Sequence, residues 1–131
     1  MAKESDEPKP TNGELAILTV LWEAGPSTVR GIHDAMANRE VGYTTVLKLL
    51  QIMTEKGLVQ RDESARSHVY RVTRPEKQMK RRLVTDLLDR AFGGSTASLV
   101  MHALEGKKAS TEELRQIRTL LDSLDQKGKE K

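Results

Sequence analysis

The chain has 131 residues, which is enough for one ordinary domain or two small ones. Aromatic residues make up only 3%, so any core must be mostly aliphatic, and the net charge of +3 is too small to indicate a partner by itself. The absence of cysteine excludes disulfides and thiolate metal sites, and no apolar run reaches the ~20 residues of a membrane span.

The beginning of the chain predicts a tail followed by a helix. Residues 1–10 are charged, contain two prolines and lack periodicity, so we interpret them as a disordered tail. They also lack the apolar segment of a secretory signal, and we expect a soluble cytoplasmic protein with no membrane insertion. The T-x-x-E pattern from Thr11 to Glu14 is typical of a capping box. It predicts a helix that ends near Ala24, because Gly25 suits a left-handed cap.

Two more helices are predicted in the first half of the chain. Ser27 or Thr28 can cap a second helix from Val29 to about Asn38. A third helix is predicted over residues 42–57, where apolar residues recur at the spacing of a helix docked on a core. These inward positions are Val46, Leu49, Leu50 and Met53.

The opposite face of the third helix is short, polar and only lightly charged. It holds Thr44, Lys48, Gln51 and Glu55, flanked by Leu47 and Ile52. Such a surface suits the DNA major groove, where base edges offer donors, acceptors and thymine methyl groups. A solvated face is the alternative interpretation. We expect Thr44 or Thr45 to cap the start of this helix.

The hydrophobic pattern then changes from helical to alternating. Residues 58–62 and 67–73 are short segments rich in Val, Tyr and Thr, and the polar stretch between them predicts a β-hairpin. Alternation predicts that Tyr70 faces inward, and Arg66 is expected at the exposed tip. Three short helices followed by a hairpin form a winged helix. The predicted fold class is therefore mainly α with a small β wing, and residues 11–74 form a winged helix-turn-helix domain.

Basic residues are concentrated at the end of the third helix and along the hairpin. They are Lys56, Arg61, Arg66, Arg71 and Arg74. In a winged helix the wing lies against the DNA backbone, where these groups would meet phosphates. The alternative is a solvated strand edge that discourages aggregation. We favour phosphate contact because the third helix lies beside them.

The remainder of the chain is predicted to be helical. Residues 76–92, residues 95–104 and a last helix beginning at a second capping box, Ser110–Glu113, each carry an apolar stripe. The last stripe has the 3-4-3 spacing of a helix–helix seam. A single copy of this region would bury little apolar surface and be marginally stable alone.

The simplest remedy for this deficit is a homodimer, which also suits a reader of palindromic half-sites. We therefore predict a helical dimerisation region over residues 75–124, followed by a charged tail over residues 125–131. The predicted dimer contacts are Leu83, Leu87, Leu99, Val100, Leu114, Ile117, Leu121 and Leu124.

Four short segments are distinctive in combination. They are ELAIL at residues 14–18, LW at 21–22, YTTV at 43–46 and EKGLV at 55–59. Together they resemble the BlaI/MecI/CopY family of bacterial repressors, also called penicillinase repressors. The resemblance covers roughly residues 11–124. The chain departs from the family pattern at Ile52, where relatives often place a polar or basic residue.

The resemblance implies a dimer that binds a dyad-symmetric operator and blocks transcription. In the β-lactam branch of the family, a membrane sensor-protease triggers a cut within the dimerisation region, which lowers operator affinity. By position, that cut would match the neighbourhood of His102 and Ala103, although the chain lacks the Asn-Phe pair associated with it. The copper-responsive branch uses C-terminal cysteines, and their absence excludes that mechanism here.

The leading hypothesis is a dimeric transcriptional repressor that needs no cofactor or metal. Thr44, Thr45, Lys48 and Gln51 would read bases, with Leu47 against a thymine methyl group. Tyr43, Lys56, Arg66 and Arg61 would contact the backbone.

Two other hypotheses belong to different functional classes. Exposed Leu47 and Ile52 would favour a winged-helix module that binds a protein partner and never touches DNA. An enzyme is disfavoured because the chain has no glycine-rich phosphate loop, no H-E-x-x-H motif and no histidines at metal-ligand spacing.

Overall fold

The computed structural model describes residues 9–38 and 40–129, so residues 1–8 of the predicted disordered tail lie outside the described residues. It confirms the predicted fold class, a mainly helical chain with a small antiparallel sheet. In chain order the elements are α1 (Asn12–Ala24), β1 (Ser27–Thr28), α2 (Val29–Ala35), α3 (Tyr43–Lys56), β2 (Val59–Asp62), β3 (Val69–Val72), α4 (Glu76–Ala91), α5 (Thr96–Gly106) and α6 (Thr111–Lys129).

The first two helices begin at side-chain caps. The predicted box at α1 is confirmed: the Thr11 N–H donates to Glu14 Oε1 at 2.9 Å, and the Glu14 N–H donates to Thr11 Oγ1 at 3.3 Å. The α2 cap is Thr28, whose Oγ1 accepts from the Gly31 N–H at 3.1 Å. The helix α2 ends at Ala35, three residues earlier than predicted.

The start of α3 differs from the prediction. Neither Thr44 nor Thr45 caps this helix, because it begins one residue earlier, at Tyr43, and its N-cap is Gly42, which makes no side-chain hydrogen bond. The predicted end is confirmed. Gly57 adopts φ 81°, a left-handed conformation that favours glycine, and its N–H bonds to the carbonyls of the last turn.

The sheet contains one strand that was not predicted. Its order is β1-β3-β2, and both pairings are antiparallel. The predicted hairpin is the β2–β3 pair, in which Arg61 lies opposite Tyr70. The two-residue strand β1 pairs Ser27 with Tyr70 and therefore fixes the start of α2 beside the wing.

Fourteen buried apolar side chains among the described residues, with Tyr70 as one of them, form one mostly aliphatic core. They are Ile17, Leu18, Val20, Leu21, Val29, Ile32, Met36, Val46, Leu50, Met53, Leu58, Val59, Tyr70 and Met79. The inward positions predicted for α3 are confirmed, with Leu49 only partly buried. Tyr70 faces inward as predicted and is 1% exposed.

The chain divides into two units, residues 1–83 and 84–131. The predicted boundary after Arg74 is therefore too early. Met79, on the first half of α4, is buried in the core of the first unit, and Leu83 packs against that core. Because these side chains complete the winged-helix core, the first two turns of α4 belong to it.

The second unit contains the end of α4 together with α5 and α6. Gly93 and Gly94, both with positive φ, follow α4, and Ser95 caps α5 by accepting from the Ser98 N–H. Ser110 and Glu113 form the predicted second capping box. The charged stretch after Leu124 was predicted as a tail, but α6 continues through Lys129. None of residues 84–128 is buried.

Candidate nucleic-acid interface

The outer face of α3 is a regular polar surface on a fixed helix. Val46, Leu50 and Met53 are each 0% exposed and hold the helix against the core. On the opposite side, Thr44, Lys48 and Gln51 are exposed, as is Glu55. A helix held on one face and polar on the other can present these side chains to base edges without moving.

Leu47 does not lie on this outer face. It is partly buried and packs against the core, whereas the prediction placed it at the exposed edge. The other apolar residue at the edge, Ile52, is 37% exposed. The apolar character that favoured a protein partner is therefore reduced to one side chain.

A groove of about 370 Å³ lies beside α3, between the start of α2 and the wing. The lining residues are Thr28, Val29, Arg30, Tyr43, Leu47, Arg66, Ser67, His68 and Tyr70. The groove therefore brings together two guanidinium groups and several hydroxyl groups. This composition suits a phosphodiester, which accepts hydrogen bonds and carries one negative charge.

Arg66 and Arg30 are the cations of this groove. Both are exposed, and neither forms an ion pair within the part of the chain that the structure describes. The prediction included Arg66 but missed Arg30. Arg30 lies in the groove because the Ser27–Tyr70 pairing of β1 with β3 brings the start of α2 to the wing. Recognising β1 in the sequence would have been the way to find it. Two residues are too few for a strand pattern to be read from sequence.

Lys56, a predicted backbone contact, is paired with a carboxylate of the first unit. Its Nζ lies 2.6 Å from Glu14 Oε1 and 3.0 Å from the Lys9 carbonyl oxygen. Glu14 is 1% exposed. Burial raises the pKa of the Glu14 carboxyl, but hydrogen bonds from Lys56 and Thr11 outweigh it, so the pKa is lowered overall. Lys56 therefore neutralises a buried carboxylate, and a phosphate would have to compete with Glu14 for its ammonium group.

Arg61 is held within the wing. Its Nη2 lies 3.4 Å from Glu63 Oε1, and a hydrogen bond with Tyr70, followed by the charge of Glu63, raises the pKa of Arg61. His68 Nε2 lies 3.7 Å from the same Glu63 oxygen. A phosphate would have to compete with Glu63 for this guanidinium group.

The turn at the wing tip is ordered by Asp62. The Ser64 N–H donates to Asp62 Oδ1 at 2.9 Å, and Arg71 Nη2 lies 3.5 Å from Asp62 Oδ2. Hydrogen bonds from Ser64, followed by the charge of Arg71, lower the pKa of Asp62. Like Lys56 and Arg61, Arg71 is paired with a carboxylate, which leaves Arg66 as the cation available at the tip.

The predicted dimer contacts are more exposed to solvent than the core residues. Leu87, Leu121 and Leu124 are 51%, 58% and 53% exposed, and Val100 is 38% exposed. Leu99, Leu114 and Ile117 are partly buried. Leu83 is the exception, since it packs against the core of the first unit.

The predicted cleavage region lies within a helix. His102 and Ala103 are exposed residues of α5. His102 Nδ1 lies 2.8 Å from the Ser98 carbonyl oxygen, and its ring centroid lies 5.5 Å from that of Phe92. A protease that needs an extended substrate would first have to open this part of α5.

The described residues contain neither a metal cluster nor a membrane-spanning helix. No three His, Cys, Asp or Glu side chains come together there in a way that could hold a metal ion. None of the described helices combines the length and the apolarity that crossing a bilayer requires.

The geometry above is that of a winged helix with a basic groove beside its third helix. Residues 10–123 match the family described as penicillinase repressor. The chain belongs to the penicillinase repressor family. This finding confirms the family expected from the four sequence segments.

The sequence of this penicillinase repressor family member is similar to those of two named relatives. "Transcriptional regulator BlaI" of Mycobacterium tuberculosis (strains CDC 1551 / Oshkosh and ATCC 25618 / H37Rv) is 34% identical over 95 residues, which cover 70% of this chain and 69% of the relative. "Penicillinase repressor" of Staphylococcus aureus is 20% identical over 115 residues, which cover 87% of this chain and 91% of the relative. The names of family and relatives indicate a transcriptional repressor and not an enzyme.

Proposed function

We propose that this protein is a transcriptional repressor that binds a dyad-symmetric DNA operator as a homodimer in the cytoplasm. The single observation that carries the proposal is the arrangement at α3. A polar helix face, fixed to the core by three fully buried side chains, lies beside a groove that contains Arg30 and Arg66. The names of the family and of its relatives support the repressor role.

In this proposal the two parts of the interface have separate tasks. Thr44, Thr45, Lys48 and Gln51 read base edges in the major groove, with Leu47 at the margin of that surface. Tyr43, Arg66 and Arg30 contact one stretch of the DNA backbone through the groove between α3 and the wing. Arg61 stays in the backbone set, since 39% of its side chain is exposed, but Lys56 leaves it.

Dimerisation is the second element of the proposal. It is supported by the exposed leucines of α4 and α6, because exposed apolar side chains in such numbers mark a surface that a partner covers. A second copy is the occupant we propose, since a two-fold axis would set two α3 helices on the two half-sites of a palindrome. The predicted contacts are retained apart from Leu83.

Release of the operator is the third element. We propose that a membrane sensor-protease cuts the chain near His102 and Ala103 and so separates α6 from the rest of the dimerisation region. The exposure of both residues supports this, and their helical conformation requires α5 to open first. Mass analysis of the protein from cells induced with a β-lactam, the signal in that branch of the family, tests it. Fragments ending near residue 102 are expected, and an intact chain in induced cells would contradict proteolytic release.

Binding to the DNA upstream of the protein's own gene tests the central function. The purified protein is titrated into that duplex and into a scrambled duplex of equal composition, across a salt series. We expect a saturable complex of two protomers with the upstream DNA that survives competitor. Weak, equal and steeply salt-dependent binding to both duplexes would contradict specific recognition. Absence of binding to either at low salt would favour a protein-interaction module that uses Ile52.

A further inference from the structure

The start of α3 is held in a different way from the starts of its neighbours. The N-cap residues of α1 and α2 are Thr11 and Thr28, whose hydroxyl oxygens accept backbone N–H groups. The N-cap residue of α3 is Gly42, which provides no side-chain cap. The first N–H groups of a helix have no partner within the helix, so an uncapped start frays more readily. The helix that carries the proposed base-reading residues therefore lacks this side-chain hydrogen bond at its start.

His33 provides a contact at this place. It lies on α2, and its ring Nε2 is 2.8 Å from the carbonyl oxygen of Val41, eight positions further along the chain. Because a carbonyl oxygen only accepts, Nε2 carries the hydrogen and donates it. The same ring meets the ring of Tyr43 edge-on, with centroids 6.1 Å apart and planes at 80°. One side chain thus contacts the residues on both sides of Gly42.

Two other hydrogen bonds between described residues of this turn are local to it. The Val41 N–H donates to the Asn38 carbonyl at 3.3 Å, and the Glu40 N–H donates to Asn38 Oδ1 at 3.0 Å. They shape the turn but do not attach it to α2. The His33 bond does attach it, and Ile32, beside His33 on α2, is 0% exposed and anchors that helix in the core.

We propose that His33 is a positioning residue for DNA recognition. It fixes the turn before α3, and through Tyr43 it fixes the first turn of the helix. This inference rests on the proposed DNA-binding function. Tyr43 lines the groove with Arg30 and Arg66, so its position sets how the backbone contact is aligned with the base-reading face. Loss of the His33 contact would leave the charges in place but loosen the orientation of Thr44 and Lys48.

Three substitutions separate the parts of this contact. His33→Ala removes both the hydrogen bond and the ring. His33→Phe keeps an aromatic ring without the donor, and His33→Gln keeps a donor at a similar distance without the ring. Asp34→Asn is the matched control, because Asp34 Oδ1 lies 3.9 Å from His33 Nδ1 but takes no part in the bond to Val41.

Affinities for the upstream duplex and for the scrambled duplex are then compared. His33→Ala and His33→Phe are expected to bind the upstream duplex roughly fivefold to tenfold more weakly, the effect of one lost hydrogen bond. Binding to the scrambled duplex should change much less, since the charged contacts of Arg30 and Arg66 remain. His33→Gln should restore most of the discrimination, and Asp34→Asn should retain all of it. Equal losses on both duplexes, or failure of Gln to restore discrimination, would overturn the inference.

A second measurement needs no DNA. The Val46 N–H donates to the Gly42 carbonyl at 3.1 Å and so reports the first turn of α3 by hydrogen exchange. Exchange at Val46 should be faster in His33→Ala and His33→Phe, and close to that of the unmodified protein in His33→Gln and Asp34→Asn. Unchanged exchange in His33→Ala would overturn the inference. If the unmodified protein fails to distinguish the duplexes, the proposed function fails, and the exchange comparison still decides the role of His33.

Discussion

The two units of this chain differ in how far they bury their apolar side chains. Among its described residues the first unit buries fourteen apolar side chains, including Tyr70 and Met79 from α4. In the second unit none of residues 84–128 is buried, and leucines such as Leu87 and Leu121 are more than half exposed. A domain that folds alone needs the first arrangement. For the second arrangement, we propose that a second copy covers the exposed leucines.

The largest effect is expected from a charge placed in the proposed dimer contact. Leu121→Asp would bury an unpaired carboxylate at the contact, which is costly enough to dissociate the dimer. Native mass spectrometry at low micromolar concentration should show single protomers. The control is Ser123→Asp, which adds the same charge at an exposed position on the opposite side of α6 and should remain dimeric. An intact Leu121→Asp dimer would rule out α6 as the centre of the contact.

Next in size is an effect confined to the first unit. Lys56→Ala would leave the Glu14 carboxylate buried without its partner, and we expect a loss of about 3 kcal/mol in the free energy of unfolding. Fluorescence of Trp22, the only tryptophan, reports unfolding of this unit in denaturant. Exposed Lys48 is the matched control, and Lys48→Ala should leave stability unchanged. Equal stability of the two variants would contradict a structural role for Lys56.

For DNA affinity, in contrast to stability, we expect the larger effect at Lys48 and not at Lys56. Lys48→Ala is expected to weaken binding to the upstream duplex by ~1–3 kcal/mol, with much less effect on the scrambled duplex, because it removes a contact to a base. Fluorescence anisotropy with both duplexes measures the difference. A uniform loss on both would make Lys48 a backbone contact instead.

The two arginines of the groove should each contribute one phosphate contact. Arg66→Ala and Arg30→Ala are each expected to reduce the slope of log affinity against log salt by about one, similarly for all sequences. Arg71→Ala is the control, because Arg71 is paired with Asp62. An unchanged slope for Arg66→Ala would show that the wing does not meet the backbone, and the same result for Arg30 would remove it from the interface.

The smallest expected effect is a pH dependence of the first unit. The folded pKa of Glu14 is lowered below its ordinary value of 4.5, so its ionised form stabilises the fold above that pH. This stability is lost as the pH falls through the folded pKa. Glu14→Gln should therefore be less stable than the unmodified protein near neutral pH, with a difference that shrinks in acid. Thermal midpoints followed by Trp22 fluorescence test this, and a difference that grows in acid would contradict it.

Most of the first unit could be predicted from sequence because its signals are local. The Thr11–Glu14 capping box, the spacing of Val46, Leu50 and Met53, and the alternation around Tyr70 each depend on neighbouring residues. The features that were missed depend on contacts between distant segments. The partner of Lys56 lies 42 residues away, at Glu14.

The same distinction between local and distant contacts explains why the prediction missed Arg30 in the groove and assigned Leu83 to the dimer contact. Arg30 joins the groove only because β1 pairs with β3, and Leu83 joins the core because the first half of α4 packs against the winged helix. A short strand and the packing of a helix leave little trace in composition or periodicity. The exposed leucines of α6 were predicted from the 3-4-3 spacing, but spacing alone does not say which surface covers them.

Sedimentation equilibrium of the unmodified protein tests the difference between the two units most directly. Measured over about a hundredfold range of protein concentration, the mass should approach that of two protomers and fall towards one on dilution. Leu121→Asp should remain at one throughout. A mass of one protomer for the unmodified chain at every concentration would contradict the claim that a second copy covers the leucines of α4 and α6.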